Sequence, residues 1–251
     1  LLEVVEVIWI TGDTHGDWIH RVNMDSFPEQ KEMTKEDYVI VLGDFGIWRD
    51  TPQQRWYLNW LEEKRFTTLF IDGNHENYDI LDSYPVEEWH GGKVHFIKPS
   101  IIHLMRGQVF EIDGLKFFTF GAAASHDISD GVLEIDDPRV KEWRDDPDKM
   151  YRINHISWWE REMPNQEEMD EGTRNLAEHD NKVDFILTHC TASSTAALLS
   201  HGLYKPDKLT DYLEEIRCNV DYGRWLCGHY HDNKAITMKD LVLYEQIVRI
   251  A

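Results

Sequence analysis

Cysteine is scarce in this chain of 251 residues, which has three: Cys190, Cys218 and Cys227. Their number is odd and no Cys-x-x-Cys spacing occurs, which predicts reduced thiols in a cytoplasmic protein. Long apolar runs are also missing, since none approaches the roughly 20 residues that a membrane-spanning helix needs. No basic and apolar leader of the secretory type is visible. We therefore expect no membrane partner.

Positively charged residues are also scarce in this chain. The chain has 26 Lys and Arg residues against 47 Asp and Glu residues, for a net charge of −21. Such a surface repels nucleic acid and anionic membranes at long range, so no long nucleic acid is expected as a partner. A nucleotide substrate is still compatible with this charge, because bound cations can invert the local field. The hydrophobic fraction of 41% allows a substantial core.

Five apolar segments end in a polar turn, and this unit recurs along the chain. In the first, residues 4–10 are predicted to form a buried strand, which Gly12-Asp13-Thr14-His15-Gly16 follows. Three such units separated by helical stretches predict βαβ connections and a largely parallel sheet. Ligands of open α/β sheets bind outside the carboxyl ends of the strands, where these turns lie. The five units occupy residues 4–17, 37–44, 66–76, 182–190 and 224–231.

Other segments follow different patterns. Residues 95–105 and 108–121 are rich in β-branched and aromatic residues, and the Asp113-Gly114 turn between predicted strands favours an antiparallel arrangement. A further strand is expected at residues 241–250, and an irregular, charged insertion over the sheet edge at residues 125–165. Helices are expected at residues 18–27, from Thr51-Pro52 onward, at 164–176 and at 209–217. The residues predicted to pack in the core from the second helix are Trp56, Tyr57, Trp60 and Leu61.

The polar turns carry the residue types of a metal site. Carboxylate and imidazole ligands without a thiolate suit Mn, Fe, Zn, Co or Ni, and disfavour Ca. The set is too large for one such ion but fits two ions that share one carboxylate, an arrangement that activates water and holds a phosphoryl group. The candidate residues are Asp13, His15, Asp44, Asn74, His75, His189, His229 and His231.

Taken in order, these motifs resemble those of the calcineurin-like metallophosphoesterases, from about residue 7 to about residue 231. The resemblance implies an α/β fold, a four-layer α/β-β/α sandwich of the metallo-dependent phosphatase type, which we expect to be a single domain over residues 1–251. The motifs are Gly12-Asp13-Thr14-His15-Gly16, Gly43-Asp44, Gly73-Asn74-His75-Glu76, Thr188-His189 and Gly228-His229-Tyr230-His231.

The resemblance also implies a role for each residue. Asp44 would bridge two divalent transition-metal ions, with Mn, Fe and Zn as the candidate elements. His75 would contact the phosphate and protonate the leaving oxygen, while a hydroxide that bridges the metals would be the nucleophile. The residues that would hold the first metal are Asp13, His15 and His231. Those that would hold the second are Asn74, His189 and His229.

The chain departs from the protein Ser/Thr phosphatases of this superfamily. Ile47 stands where that branch has an Asp that orients the catalytic His, and Trp48 stands where it has a phosphate-binding Arg. A second Arg of that branch precedes its Gly-Asn-His-Glu motif, and here Asp72 stands at that position, so both arginines are missing. This argues against a close relative of the protein phosphatases. Asp50, Asp72 and Glu76 adjoin the motifs and are expected to support the ligands through hydrogen bonds. The candidates for replacing the missing phosphate contacts are Arg49, Arg152 and His126.

The predicted insertion at residues 125–165 is interpreted as an inserted cap. Its Ser-Trp-Trp-x-x-Glu stretch at residues 157–162 resembles uncharacterised bacterial and phage members of the superfamily. In one interpretation Arg152 reaches the phosphate and a Trp stacks on a base or ring. In the other, which we favour, Trp158 and Trp159 anchor the insertion to the domain.

The predicted function is hydrolysis of a phosphate ester by a metal-dependent enzyme. A phosphodiester, such as a cyclic or short nucleotide, is one substrate class, and a phosphomonoester or phosphoprotein is the other. The missing arginines favour the diester, because a dianionic monoester benefits most from bidentate guanidinium contacts. A non-catalytic scaffold is a third interpretation, but such a protein should have lost ligands, and here every motif position is filled.

Overall fold

Two facing β-sheets form the centre of the computed structural model, which describes residues 6–47 and 49–251. The strands in this part of the chain are β1 Ile8–Thr11, β2 Tyr38–Leu42, β3 Thr67–Ile71, β4 Val86–Trp89, β5 Gly92–Lys98, β6 Ile101–Leu104, β7 Gln108–Ile112, β8 Leu115–Phe120, β9 Gly131–Leu133, β10 Tyr151–Ile153, β11 Lys182–Thr188, β12 Asp221–Cys227, β13 Lys234–Ala235, β14 Asp240–Val242 and β15 Ile247–Arg249. The α-helices are α1 Trp18–Arg21, α2 Pro52–Glu62, α3 Tyr78–Leu81, α4 Pro138–Trp143, α5 Gln166–Glu178, α6 Ser193–Leu199 and α7 Lys208–Asn219.

The strand order places the parallel strands at the centre of each sheet. Among the described residues, the first sheet runs β15-β1-β2-β3-β6-β5-β4, and β1, β2, β3 and β6 pair in parallel. The second sheet runs β13-β14-β12-β11-β8-β7, and β14, β12, β11 and β8 pair in parallel. The predicted antiparallel strands are present as the β5–β6 and β7–β8 pairs. Asp113 and Gly114 make the second turn, both with positive φ.

Three buried clusters give the fold four layers. Leu42 and Leu69 of the first sheet share the middle cluster with Leu187 and Leu226 of the second. The outer face of the first sheet packs on α1 and α2, and the outer face of the second packs on α5 and α7. Both β2 and β3 are buried at every position, as expected for strands covered on both sides. The predicted α/β-β/α sandwich is confirmed.

Helix α2 begins as predicted, and of its four predicted core residues Leu61 is buried while Tyr57 and Trp60 pack partly buried against the same cluster. The Thr51 side chain accepts a hydrogen bond from the Gln54 backbone N–H, and Pro52 is the first helical residue. Trp56, however, is 55% exposed, so its predicted core packing is wrong, and Leu58 and Leu61 are the buried residues of the helix. The apolar leucines, three residues apart, set the face that meets the sheet.

Two other predicted elements differ in extent. The helix expected at residues 18–27 ends at Arg21, because the Asn23 side chain accepts hydrogen bonds from the backbone N–H groups of Asp25 and Ser26 and forms a turn. The strand expected at residues 241–250 is two strands, β14 and β15, which belong to different sheets. Glu245 and Gln246 interrupt the apolar run between the two strands, where the chain crosses from one sheet to the other.

The segment 125–165 contains β9, α4 and β10, and β9 and β10 pair in parallel. Trp159 joins the cluster on the outer face of the first sheet, and its Nε1 donates to Asp79 of α3 at 2.8 Å. These contacts support the anchoring interpretation for Trp159, whereas the interpretation of the whole segment as a cap stays a prediction. Within residues 6–47 and 49–251, no helix combines the length and the apolarity needed to cross a membrane.

Candidate metal centre

The five polar turns meet where the carboxyl ends of the parallel strands of both sheets come together. Asp13, Asp44 and Asn74 follow β1, β2 and β3, while His189 and His229 follow β11 and β12. The two sheets are joined directly here, since Asp13 Oδ1 accepts a hydrogen bond from the His229 backbone N–H at 2.8 Å. The predicted site residues are therefore contributed by both sheets.

The first group of candidate ligands is Asp13, His15 and His231. Each offers one ligand atom, and these atoms lie within 4.8 Å of one another. The two imidazole Nε2 atoms are 3.0 Å apart, and His231 Nε2 is 3.2 Å from Asp13 Oδ2. Tyr244 stacks on the His231 ring with a centroid distance of 4.5 Å, which holds the ring in this orientation.

The second group is arranged around His189. Its Nε2 lies 3.2 Å from Asn74 Oδ1 and 3.4 Å from Asp44 Oδ1. Its Nδ1 lies 2.7 Å from the Leu42 carbonyl oxygen, which can only accept, so Nδ1 carries a proton and Nε2 is the ring atom that a metal would use. The His229 ring is 5.0 Å from the His189 ring. Asp13 also approaches this group, because Asp13, Asp44 and His189 offer ligand atoms within 4.8 Å of one another.

The charges of the site favour a bound cation. Burial raises the pKa of Asp44, but the imidazole of His189 outweighs this effect and holds the pKa below its ordinary value. Burial lowers the pKa of His189, but Asp44 raises it to about 10. Burial and the neighbouring His189 lower the pKa of His229 to about 3. The buried carboxylates thus stabilise positive charge between them.

One buried atom tests directly whether a metal fits. Asp13 Oδ2 is buried and makes no hydrogen bond in the described part of the chain. A buried carboxylate oxygen without a hydrogen bond is costly, even with His231 Nε2 at 3.2 Å, and a cation at the first group of candidate ligands would satisfy it. The donor set of carboxylate, imidazole and amide oxygen suits Mn, Fe or Zn. The residues therefore fit divalent transition-metal ions.

The glycines of the motifs make room for these side chains. A Cβ at Gly43 would overlap the His189 ring, and one at Gly73 would overlap the Asp44 carboxylate. Gly228 makes the same close approach to the Asp13 carboxylate. Several candidate ligands also have left-handed backbone conformations, which are uncommon outside glycine and cluster at functional sites. These are His15, Asp44, His229 and His231, with φ of 47°, 46°, 66° and 48°.

Comparison with known proteins identifies the family. The sequence model described as calcineurin-like phosphoesterase matches residues 7–233. The chain belongs to this family. The prediction of a metal-dependent phosphoester hydrolase is thus confirmed at the level of the family.

Two individual proteins are similar to this phosphoesterase. Lariat debranching enzyme A of Xenopus laevis is 27% identical over 143 residues, which are 51% of this chain and 26% of that protein. The chain therefore matches about a quarter of the length of this curated relative. A solved structure of a phosphopantetheinyl hydrolase from Mycobacterium tuberculosis aligns with a TM-score of 0.48 and 15% identity, over 97% of this chain and 89% of that one.

The predicted phosphate contacts of the phosphoesterase surround the site. Arg49 and Arg152 line a cleft of about 550 Å³ together with His15 and His75. Arg152 binds the Asp127 carboxylate through Nε at 3.1 Å and through Nη2, so its charge is already paired. The His126 ring is 6.0 Å from the His229 ring, beside the second group of ligands. Five other histidines belong to neither group of candidate ligands: His20, His90, His103, His179 and His201.

Buried supports of the site were only partly predicted. Asp72 accepts hydrogen bonds from Arg106 Nε and Nη2, at 2.8 and 2.6 Å, and Glu76 accepts them from the backbone N–H groups of Phe45 and Gly46. Both acidic residues are held by hydrogen bonds, but these partners are not the candidate ligands that they were predicted to support, whereas Asp50 is exposed and pairs with Arg55. Arg106 was missed. Its position between two apolar strands is the available signal, because a buried arginine requires a carboxylate partner.

Proposed function

We propose that this chain hydrolyses phosphodiesters of small molecules with the help of two divalent metal ions. The two groups of ligands, with the buried Asp44 between them, support the use of two ions. Two bound metal ions would supply the hydroxide nucleophile and neutralise charge on the phosphoryl group. The ligands for the first would be Asp13, His15, Asp44 and His231. Those for the second would be Asp44, Asn74, His189 and His229.

The observation that carries the diester proposal is a pair of clefts that both have His15 in their lining. One has a volume of about 550 Å³ and is lined by His15, His75 and Arg49. The other, of about 580 Å³, is lined by Asp13, His15 and Tyr244. A phosphodiester has two organic arms and a monoester has one, so a site that opens into two clefts suits the diester.

His75 is the proposed general acid. Its backbone N–H donates to Asp44 Oδ1 at 2.8 Å, which ties the residue to the centre of the ligand set. Its ring is 5.5 Å from the His15 ring and lines the first cleft. A proton from this imidazole would reach the leaving oxygen of an ester arm that occupies that cleft. We therefore assign the first cleft to the leaving group.

The charge of the first cleft also suits a diester. Arg152 is paired with Asp127, and no ion pair of Arg49 occurs in the described part of the chain. One unpaired guanidinium complements the single negative charge of a diester better than the double charge of a monoester. The acidic surface supports a small substrate, such as a cyclic or short nucleotide, over a long nucleic acid.

A cytoplasmic location is part of the proposal. Cys190, Cys218 and Cys227 are all free, as expected in a reducing compartment. Alkylation of intact cells should modify Cys218 without prior reduction and reveal no disulfide-linked pair among the three cysteines. A pair linked by a disulfide in the cell would contradict this location.

The test is a side-by-side assay of bis-p-nitrophenyl phosphate and p-nitrophenyl phosphate, with Mn²⁺ or Ni²⁺ added and with EDTA. We expect turnover of the diester that EDTA abolishes. Turnover of the monoester alone would reject the diester proposal and favour a phosphomonoesterase. No turnover together with no bound metal would favour a non-catalytic scaffold.

A further inference from the structure

A buried glutamate of segment 125–165 reaches the candidate metal ligands through one serine. Glu162 is 2% exposed. Its Oε1 accepts from the Ser125 backbone N–H at 2.8 Å, and its Oε2 accepts from the Ser125 hydroxyl at 2.6 Å. Both carboxylate oxygens thus accept from Ser125, an arrangement that fixes the position and the hydroxyl direction of Ser125.

The serine in turn contacts Asn74. The Asn74 amide nitrogen Nδ2 donates to Ser125 Oγ at 3.4 Å, while Oδ1 of the same amide lies 3.2 Å from His189 Nε2. The oxygen and nitrogen ends of an amide have nearly the same shape, so packing alone does not select which end faces the histidines. The hydrogen-bond partners of the amide make that selection.

Glu162, at the buried end of this series of hydrogen bonds, determines which group donates and which accepts at each step. Burial raises the pKa of Glu162, and the two hydrogen bonds from Ser125 oppose this effect by stabilising the ionised form. An ionised carboxylate can only accept, so the Ser125 hydroxyl proton is directed to Glu162. The remaining lone pairs of Ser125 Oγ can only accept, so the Asn74 end that faces them is the NH₂ group. The carbonyl oxygen is thereby turned toward His189, which is the orientation that a metal ligand requires.

We propose that Glu162 and Ser125 are positioning residues that orient Asn74 for the second metal ion. Segment 125–165 would then control how tightly that ion binds, without contributing a ligand itself. This inference rests on the proposed use of two metal ions. Residues that orient a metal ligand typically change metal affinity by about 10- to 100-fold when they are replaced.

The Glu162→Gln variant tests the polarity directly. Its amide can donate to Ser125 Oγ, which frees the serine proton for Asn74 and allows the Asn74 amide to turn its nitrogen toward the metal. Dissociation constants for Mn²⁺ at both sites would be measured by equilibrium dialysis with elemental analysis. We expect the second site to weaken by about 10- to 100-fold and the first to be unchanged. The Ser125→Ala variant should weaken the same site while leaving Glu162 in place.

The chain offers a matched control at a distance from the site. Glu62 Oε2 accepts from the Ser100 backbone N–H at 3.1 Å and from the Ser100 hydroxyl at 2.8 Å. Glu62→Gln therefore removes the same kind of charge from the same kind of glutamate–serine pair, and it should leave both dissociation constants unchanged. An equal loss of affinity in Glu62→Gln would overturn the inference.

An Asn74→Asp background separates orientation from general structural damage. A carboxylate presents an oxygen in either orientation, so Glu162→Gln should no longer weaken the second site in that background. Equal Mn²⁺ affinities in wild type and in folded Glu162→Gln, with two ions bound to each, would overturn this inference alone. A wild-type protein that binds a single ion would instead overturn the proposed two-metal function, and this inference with it.

Discussion

The Asp44 carboxylate lies between the two groups of candidate ligands, with Oδ1 3.4 Å from His189 Nε2 and Oδ2 3.8 Å from His15 Nε2. Each oxygen faces a different group, and the side chain is almost completely buried. This is the relationship expected of a residue that bridges two metal ions. It also makes Asp44 the residue whose replacement affects both sites together.

Asp44→Asn should therefore reduce the occupancy of both metal sites. The amide has one ligand oxygen instead of two and lacks the negative charge that compensates the cations. Elemental analysis after dialysis against a fixed Mn²⁺ concentration measures the effect. The exposed Asp50, in the same loop, supplies the control Asp50→Asn, which should keep both ions. Loss of one ion alone from Asp44→Asn would exclude the bridging role.

His75→Ala should keep both metals and lower kcat by about 10²- to 10⁴-fold if His75 protonates the leaving oxygen. The loss should be larger for a diester with an alkyl leaving group than for a p-nitrophenyl ester, because an aryl oxide needs less protonation. His90→Ala, an exposed histidine outside the two ligand groups, is the control. The same loss for both leaving groups would assign His75 to phosphate binding instead.

The strand-end residues of the candidate site could be predicted from the sequence, because a local pattern marks each of them. A buried strand followed by a polar turn fixes where Asp13 or His189 must lie, whatever the rest of the fold does. Gly43 and Gly73 carry the same kind of local information, since the close approaches that they permit lie at the ends of the same strands. The fold class followed from the number and order of these units.

The supports of the site depend on contacts between distant segments, so no local pattern reveals them. Ser125 lies 37 residues from Glu162 and 51 residues from Asn74, and only the folded chain joins the three. The prediction that Trp56 packs in the core is wrong for a related reason. Its helix carries aromatic residues on more than one face, and the sheet beneath selects Leu58 and Leu61 as the buried ones.

Arg152→Ala tests whether the paired arginine also serves the substrate. Its loss should raise KM for anionic substrates several-fold, since the guanidinium lies in the cleft with His75. Steady-state kinetics with the diester, beside a thermal melt, separates binding from folding. Arg139→Ala is a matched control, because Arg139 pairs with Asp137 in the same segment at 2.7 Å and does not line the cleft. An unchanged KM with a lower Tm would make Arg152 an anchor of the segment.

Arg106→Ala should destabilise the fold by about 3–5 kcal/mol, because it leaves the buried Asp72 carboxylate without its cation. Arg106 also donates to Tyr78 Oη and to the Arg161 carbonyl, at 2.9 and 2.7 Å, so its loss also removes one contact with segment 125–165. Urea denaturation measures the change in the free energy of unfolding. Arg55→Ala breaks an exposed ion pair instead and should cost about 1 kcal/mol or less. Equal effects of the two variants would show that Asp72 finds another partner.

His95 should make the fold sensitive to mild acid. Burial, the neighbouring His103 and, to a smaller extent, Arg161 lower the pKa of His95 to about 4. Asp82 and Asp72 act in the opposite direction and are outweighed. The folded state therefore disfavours protonation of His95, and the unfolded chain accepts the proton near pH 6.5. The stabilising effect of the neutral imidazole is complete above pH 6.5 and is lost as the pH falls toward 4. His95→Gln should flatten this loss in urea denaturation between pH 7 and pH 4, whereas His201→Asn, at an exposed position, should keep the wild-type slope. A His95→Gln protein that loses stability as steeply as wild type would assign the acid sensitivity to other groups.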